Sequence, residues 1–263
     1  MKVIDLNKQI GISFLLYPDN QPHINISGIV EGDEVNVTCS IITAQTLIHL
    51  LQCSNALDNL FAKKKVLTIP YLMGARFDRL MQYGDSIDLK VVADLVNYCG
   101  FEKVYLYDVH SDVSTMLIKN SVNISNANLV MEYNQEEAIL ICPDAGAVKK
   151  VGKYFELNKN IKDIVYCTKN RDLSNGNITL KVLEPEKCIG RNCVIIDDLC
   201  DGGGTFLGIA SQIKPKHLTL IVTHGVFSKG TKIFEPYFNE IIVSDSYPST
   251  RESHIIKTIK TPL

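Results

Sequence analysis

The chain has 263 residues, of which 46% are hydrophobic and 21% charged, and its formal net charge is −2. That length and apolar content suit one large domain or two small ones, each with a real core. The acidic balance argues against a nucleic-acid polymer as partner, since such domains usually carry a basic excess, and no run of 18 apolar residues predicts a membrane span.

The opening stretch MKVIDLNKQIGISFLLYPD holds only a short apolar run, too polar for a secretion signal, so a cytoplasmic protein is expected. Residues 42–61 place Leu47, Leu50, Leu51, Leu57 and Phe61 near helical spacing, with Ser40 as candidate N-cap. Residues 65–71 (KVLTIPY) and 103–110 (KVYLYDVH) are continuous and β-branched rather than alternating, the pattern of buried parallel strands. Between them residues 87–98 read as a helix. The polar stretch KNSVNISNAN, residues 119–128, is the candidate boundary, dividing the chain into domains at 1–125 and 126–263. Beyond it, residues 138–144, 163–169, 193–198, 218–225 and 240–245 read as strands and 145–155 as a helix. This β-α-β rhythm predicts an α/β fold with mostly parallel sheets. Of the eight cysteines, Cys142, Cys167 and Cys193 sit inside or beside strand-like runs, and no C-x-x-C pair occurs. Neither a disulfide framework nor a zinc site is expected, and a reducing compartment is.

The segment CVIIDDLCDGGGTF, residues 193–206, concentrates the chemistry. An apolar strand ends in Asp197 and Asp198, whose carboxylates can accept hydrogen bonds from the vicinal hydroxyls of a ribose. Asp201, Gly202, Gly203 and Gly204 follow, where the backbone can turn tightly and its N–H groups converge. Thr205 adds a hydroxyl at the start of a helix, where an anion is favoured. Hydroxyl-binding acids followed by a phosphate cradle suit a sugar phosphate.

VIIDDLCDGGGT resembles the phosphoribosyl-diphosphate motif shared by type I phosphoribosyltransferases and ribose-phosphate diphosphokinases. Five further segments, and after them the later strand ends VTHGVFSKG and IIVSDSYP, resemble the diphosphokinases in the same order. YPDNQPHINI, with Tyr17 and Asp19, is similar to the loop that enters a neighbouring subunit's ATP pocket. IPYLMGARFDR is similar to the segment that holds ATP, with Arg76, Asp78 and Arg79 at its charged positions. YDVHSD resembles the strand end that presents a metal-binding and ATP-binding histidine, here His110. CPDAGAVKK resembles the segment whose aspartate, here Asp144, helps to organise magnesium. TKNRD resembles the start of the catalytic loop, with Lys169 and Arg171 at its two catalytic positions. The ordered set, from about Tyr17 to the C-terminus, is similar to the ribose-phosphate diphosphokinase family.

That resemblance implies two tandem type I phosphoribosyltransferase-type domains, each a mostly parallel sheet flanked by helices. The first would serve ATP and the second the ribose phosphate. It implies transfer of the β,γ-diphosphate of ATP, with Mg²⁺, to the C1 hydroxyl of ribose 5-phosphate, and a homo-oligomer of at least two chains. Two alternatives stay open: the same chemistry on ADP-ribose for NAD synthesis, and a non-catalytic regulator of diphosphokinases. Several residues depart from the family's pattern. Its N-terminal strand and helix have no evident counterpart. Gln21 replaces an acid, Val113 a glutamine and Asn170 an arginine. Gly202 replaces a threonine, which implies room at the 5′-phosphate for a continuing group.

Overall fold

The computed structural model describes residues 1–171 and 178–262, and at 170, 171, 178 and 179 it describes the backbone alone. Residues 172–177 lie outside the described part. The chain divides into two compact units, Met1–Ser125 and Asn126–Pro262. Both are α/β, with parallel sheets flanked by helices.

The first unit contains β1 (Lys2–Asp5), β2 (Ile12–Leu16), β3 (Pro22–Ile26), β4 (Glu34–Thr38), α1 (Ala44–Asn59), β5 (Lys64–Ile69), α2 (Asp88–Tyr98), β6 (Lys103–Tyr107), α3 (Val113–Leu117) and β7 (Ser121–Ile124). Among the described residues, β1-β4-β5-β6-β7 form a parallel sheet, and β2 and β3 an antiparallel hairpin. An N-terminal strand is therefore present after all. What is missing is a helix behind it, since a turn closed by Asp5 and Ile10 leads from β1 towards β2. Thr43, not Ser40, caps α1. Its hydroxyl accepts from the Thr46 N–H at 3.2 Å, while Thr46 Oγ1 accepts from the Thr43 N–H at 2.8 Å. This reciprocal pair satisfies two donors at the helix start. The polar stretch 119–128 also holds more structure than its composition suggests, because β7 pairs with β6 at the sheet edge.

The second unit contains α4 (Ala127–Met131), β8 (Ala138–Cys142), α5 (Val148–Leu157), β9 (Ile161–Arg171), β10 (Ile178–Val182), β11 (Asn192–Cys200), α6 (Gly204–Ala210), β12 (His217–Gly225), β13 (Glu240–Ser244) and β14 (Ile256–Ile259). Its sheet runs β10-β9-β8-β11-β12-β13-β14 among the described residues, parallel except for the β9–β10 ribbon. Ile139 and Ile141 of β8 pack into one core with Phe206 and Phe234. Leu140 and Cys142 pack into the other with Val151 and Tyr154. Burial on both faces is why these strands read as unbroken apolar runs.

All eight cysteines are buried and unpaired. Among the described residues no helix is long and apolar enough to cross a membrane.

Candidate functional site

The sheet of the second unit places three chain segments side by side. β11 lies between β8 and β12, with Val194 opposite Leu140 and Asp197 opposite Val222. The strand continues to Cys200, two residues beyond the expected end, so Asp197 and Asp198 lie inside it. The Asp198 N–H donates to Asp197 Oδ1 at 2.9 Å. Asp197 keeps some contact with solvent, yet protein surrounds its carboxyl. That burial, together with the neighbouring Asp198 carboxylate, pushes its pKa well above the ordinary range. Two adjacent acids in this setting suit ribose hydroxyls, or a shared proton, better than two free charges.

β8 ends just before Asp144, whose Oδ1 accepts from the Ala147 N–H at 3.2 Å and caps the short 3-10 turn Ala145–Ala147. β9 brings in Lys169, paired with Leu180 of β10. Its Nζ donates to Thr205 Oγ1 at 3.1 Å and lies 3.9 Å from Asp144 Oδ2. The structure thus joins three predicted residues from three segments: Asp144, Lys169 and Thr205. Arg171 ends β9, and its side chain lies outside the described part.

Between the acids and α6 the chain passes through Asp201 and the glycines. Gly203 has φ +74°, the left-handed region, immediately before the right-handed start of α6. That alternation turns successive N–H groups inward, towards an anion. Gly203 is also pressed against Phe234, since a Cβ there would lie 2.7 Å from the ring's Cε1 and closer still to Cζ. Phe234 is fully buried and packs edge-on against Phe227 and Phe238. This aromatic floor could not be read from the sequence, because Phe234 is far along the chain from the glycines it supports. Gly203→Ala should cost about 1–3 kcal/mol from the left-handed backbone alone, with further loss from displacing Phe234. Urea unfolding measures the cost. Adding Phe234→Leu should recover part of it, because the ring clash eases and the backbone strain does not.

Gly202 departs from expectation. The space its side chain would take is not open, because Lys229 Cε lies 3.3 Å from the ideal Cβ position.

In the first unit, the segments carrying Arg76–Arg79 and His110 come together. Arg79 Nε donates to Asp78 Oδ1 at 2.9 Å. Burial alone would raise the Asp78 carboxyl, but the Arg79 guanidinium, the Ser111 hydroxyl beside it and the charge of His110 outweigh that and hold it below its usual value. Ser111 was not foreseen. Its neighbour His110 is exposed just past β6, where Asp108 adopts φ +43°. Arg76 is exposed on the same loop as Asp78. Tyr17 and Asp19 lie at the tip of the β2–β3 hairpin. There the Tyr17 ring lies 6.2 Å from that of His23, and Asp19 Oδ1 accepts from the Gln21 N–H at 3.1 Å.

Among the described residues no three His, Cys, Asp or Glu side chains converge to hold a metal unaided. Magnesium prefers oxygen donors and keeps water or substrate phosphates in its shell. The partly exposed Asp144 carboxylate fits that donor chemistry, and the His110 imidazole fits it less well.

A family model described as the phosphoribosyl transferase domain matches residues 115–255, just over half of the chain. The chain belongs to the phosphoribosyl transferase domain family, among its ribose-phosphate diphosphokinases. It is 28% identical over 256 residues to the ribose-phosphate pyrophosphokinase of Mycoplasma pneumoniae, covering 89% of this chain and 76% of that protein. It is 24% identical to the enzyme of the same name from Thermococcus kodakarensis, covering 92% and 88%. Its fold is similar to the crystal structure of phosphoribosylpyrophosphate synthetase from Mycobacterium smegmatis, with a TM-score of 0.83, 21% identity and coverage of 95% and 85%.

Proposed function

We propose that the chain transfers the β,γ-diphosphate of ATP, as one piece, to the C1 hydroxyl of a ribose bearing a 5′-phosphate, with AMP as the second product. Ribose 5-phosphate is the default acceptor. The observation that carries this reading is the meeting of Lys169, Thr205 and Asp144 beside the acid-and-glycine loop, at 3.1 and 3.9 Å. Relatives matched along most of their length are named ribose-phosphate pyrophosphokinase, which supports this reading.

In this reading Asp197 and Asp198 hold the ribose hydroxyls, and Asp201, Gly202, Gly203, Gly204 and Thr205 hold the 5′-phosphate. Arg76, Asp78, Arg79 and His110 serve the ATP phosphates. The C1 oxygen forms a bond to the β-phosphorus. The bond from that phosphorus to the α,β-bridging oxygen breaks, the bridging oxygen leaves with AMP, and the hydroxyl proton passes to solvent. Positioning and charge neutralisation carry such a transfer. Lys169 and Arg171 offset the negative charge on the moving diphosphate. Mg²⁺, which Asp144 could help to hold with nucleotide phosphates and water, would supply further neutralisation, and His110 is the other residue proposed to serve it. Tyr17 and Asp19 reach a neighbouring chain's ATP. The exposed Leu15, Leu16 and Tyr17 at the hairpin end give that contact an apolar surface. The active form is then a homo-oligomer, a dimer at least.

The same transfer to ADP-ribose is the second reading. At Gly202 the neighbour is the methylene stem of Lys229, whose flexibility suits a terminal phosphate and a continuing one alike. Both readings give AMP. Chromatography of a reaction with ATP, Mg²⁺ and either acceptor should show AMP rising in step with acceptor consumed, whereas stoichiometric ADP would replace diphosphate transfer with simple phosphorylation.

A further inference from the structure

The side of the glycine loop at Gly202 is walled by Lys229. An ideal Cβ on Gly202 would lie 3.3 Å from Lys229 Cε, 3.4 Å from Cδ and 3.6 Å from Cγ. Three consecutive carbons of the lysine therefore line the space where a side chain at 202 would stand, with the ammonium one bond further on. The turn that carries Lys229 is tied to the loop. The Val226 and Phe227 N–H groups donate to the Cys200 carbonyl at 2.9 and 3.1 Å, and the Ser228 N–H donates to the Asp201 carbonyl at 3.3 Å. Lys229 is exposed, and among the described residues its ammonium has no carboxylate or hydrogen-bond partner. Its stem thus rests on the loop backbone while its charged head remains available at the rim.

We propose that Lys229 is the side-chain ligand of the phosphate on the sugar's O5, taking over the place that Gly202 leaves without a side chain. This rests on the sugar-phosphate reading above and names a specificity residue within it. A hydroxyl at 202 would give one neutral donor in a fixed direction. An ammonium on a flexible stem gives three charged donors that can follow the phosphate oxygens. Such a ligand accepts a terminal monoester, as in ribose 5-phosphate, and equally a phosphate that continues into a second group, as in ADP-ribose. The shared chemistry is a ribose phosphorylated at O5, and the two sources form separate arms of the test.

Isothermal calorimetry on the full chain, with ribose 5-phosphate and ADP-ribose as probes and unphosphorylated ribose as reference, tests the role. For the tighter of the two phosphorylated probes, Lys229→Ala should raise Kd about tenfold or more, the loss of one charge-assisted contact, and flatten the dependence of Kd on salt. Ribose binding should not change. Lys229→Arg should keep most of the affinity. Gly202→Thr combined with Lys229→Ala should recover binding of ribose 5-phosphate but not of ADP-ribose. In turnover, KM for the sugar should rise in Lys229→Ala while kcat holds. A wild type that binds either phosphorylated probe, beside a Lys229→Ala protein that binds it equally well with the same salt dependence, overturns the role of Lys229 and leaves the sugar-phosphate reading standing. A folded wild type that binds neither probe overturns both.

Discussion

Lys169→Ala should lower kcat by about 10²–10³, the scale of losing one donor that stabilises charge in a transition state, while KM for ATP changes little. The lysine sits where such a donor is needed. β9 carries it to the loop, its Nζ holds Thr205 Oγ1 at 3.1 Å, and Asp144 lies 3.9 Å away. Both Lys169 and Asp144 are about one-third exposed by side chain, so their ion pair adds little to stability. The variant should therefore melt within a degree or two of the parent, and the loss of rate then belongs to the reaction. Because the ammonium also touches Thr205, KM for the sugar phosphate should rise modestly, and Lys169→Arg should restore part of kcat. Steady-state kinetics with each substrate varied in turn separates these effects. A near-normal kcat would remove Lys169 from the chemistry.

Asp197→Asn should move stability and activity in opposite directions. Burial and the Asp198 carboxylate raise the Asp197 pKa, so the folded state holds its proton more tightly than the unfolded chain does. Stability from that proton is complete below the unfolded value of about 4 and is lost as pH rises through the raised folded value. At neutral pH the parent carries that cost. Asparagine keeps an oxygen for the Asp198 N–H, now at 2.9 Å, and carries no charge. The variant should melt at a higher temperature than the parent at pH 7–8, and its melting temperature should vary less with pH above 4. Its kcat/KM for the sugar phosphate should fall about 10–100-fold, as expected when a charged acceptor for a hydroxyl is lost. Melting curves across pH, paired with kinetics, read both halves. A variant that is less stable and fully active would mean that Asp197 is a structural acid.

The strands of the second unit were legible because both faces of its sheet are buried, which leaves continuous runs such as AILIC in β8. The edge strands β1, β7 and β14 are short and only partly buried, so their sequences lack that signal. Ser40 resembled an N-cap by composition. The reciprocal Thr43–Thr46 pair decided the matter, and it depends on where the turn begins. Among the site residues, the acids and glycines after β11 announce themselves by local chemistry. The approach of Lys169 to Thr205 depends on strand order β9-β8-β11, which spacing along the chain does not encode. Phe234 beneath Gly203 and Lys229 beside Gly202 are likewise contacts of the folded sheet's edge loops. Gly202 shows the limit clearly, since an absent side chain in the sequence suggested a vacancy that a distant lysine fills.

Whole transfer of the diphosphate is tested most directly on the acceptor. The protein is incubated with Mg²⁺, ATP whose β and γ phosphoryl groups carry distinct oxygen-isotope labels, and ribose 5-phosphate or ADP-ribose. The sugar product is then isolated for mass spectrometry and phosphorus NMR. The expected product carries both labels, joined to each other and attached at C1, in amounts equal to the AMP released. A sugar carrying only the γ label, with ADP as partner, or unlabelled sugar beside hydrolysed ATP, would contradict diphosphate transfer by this chain.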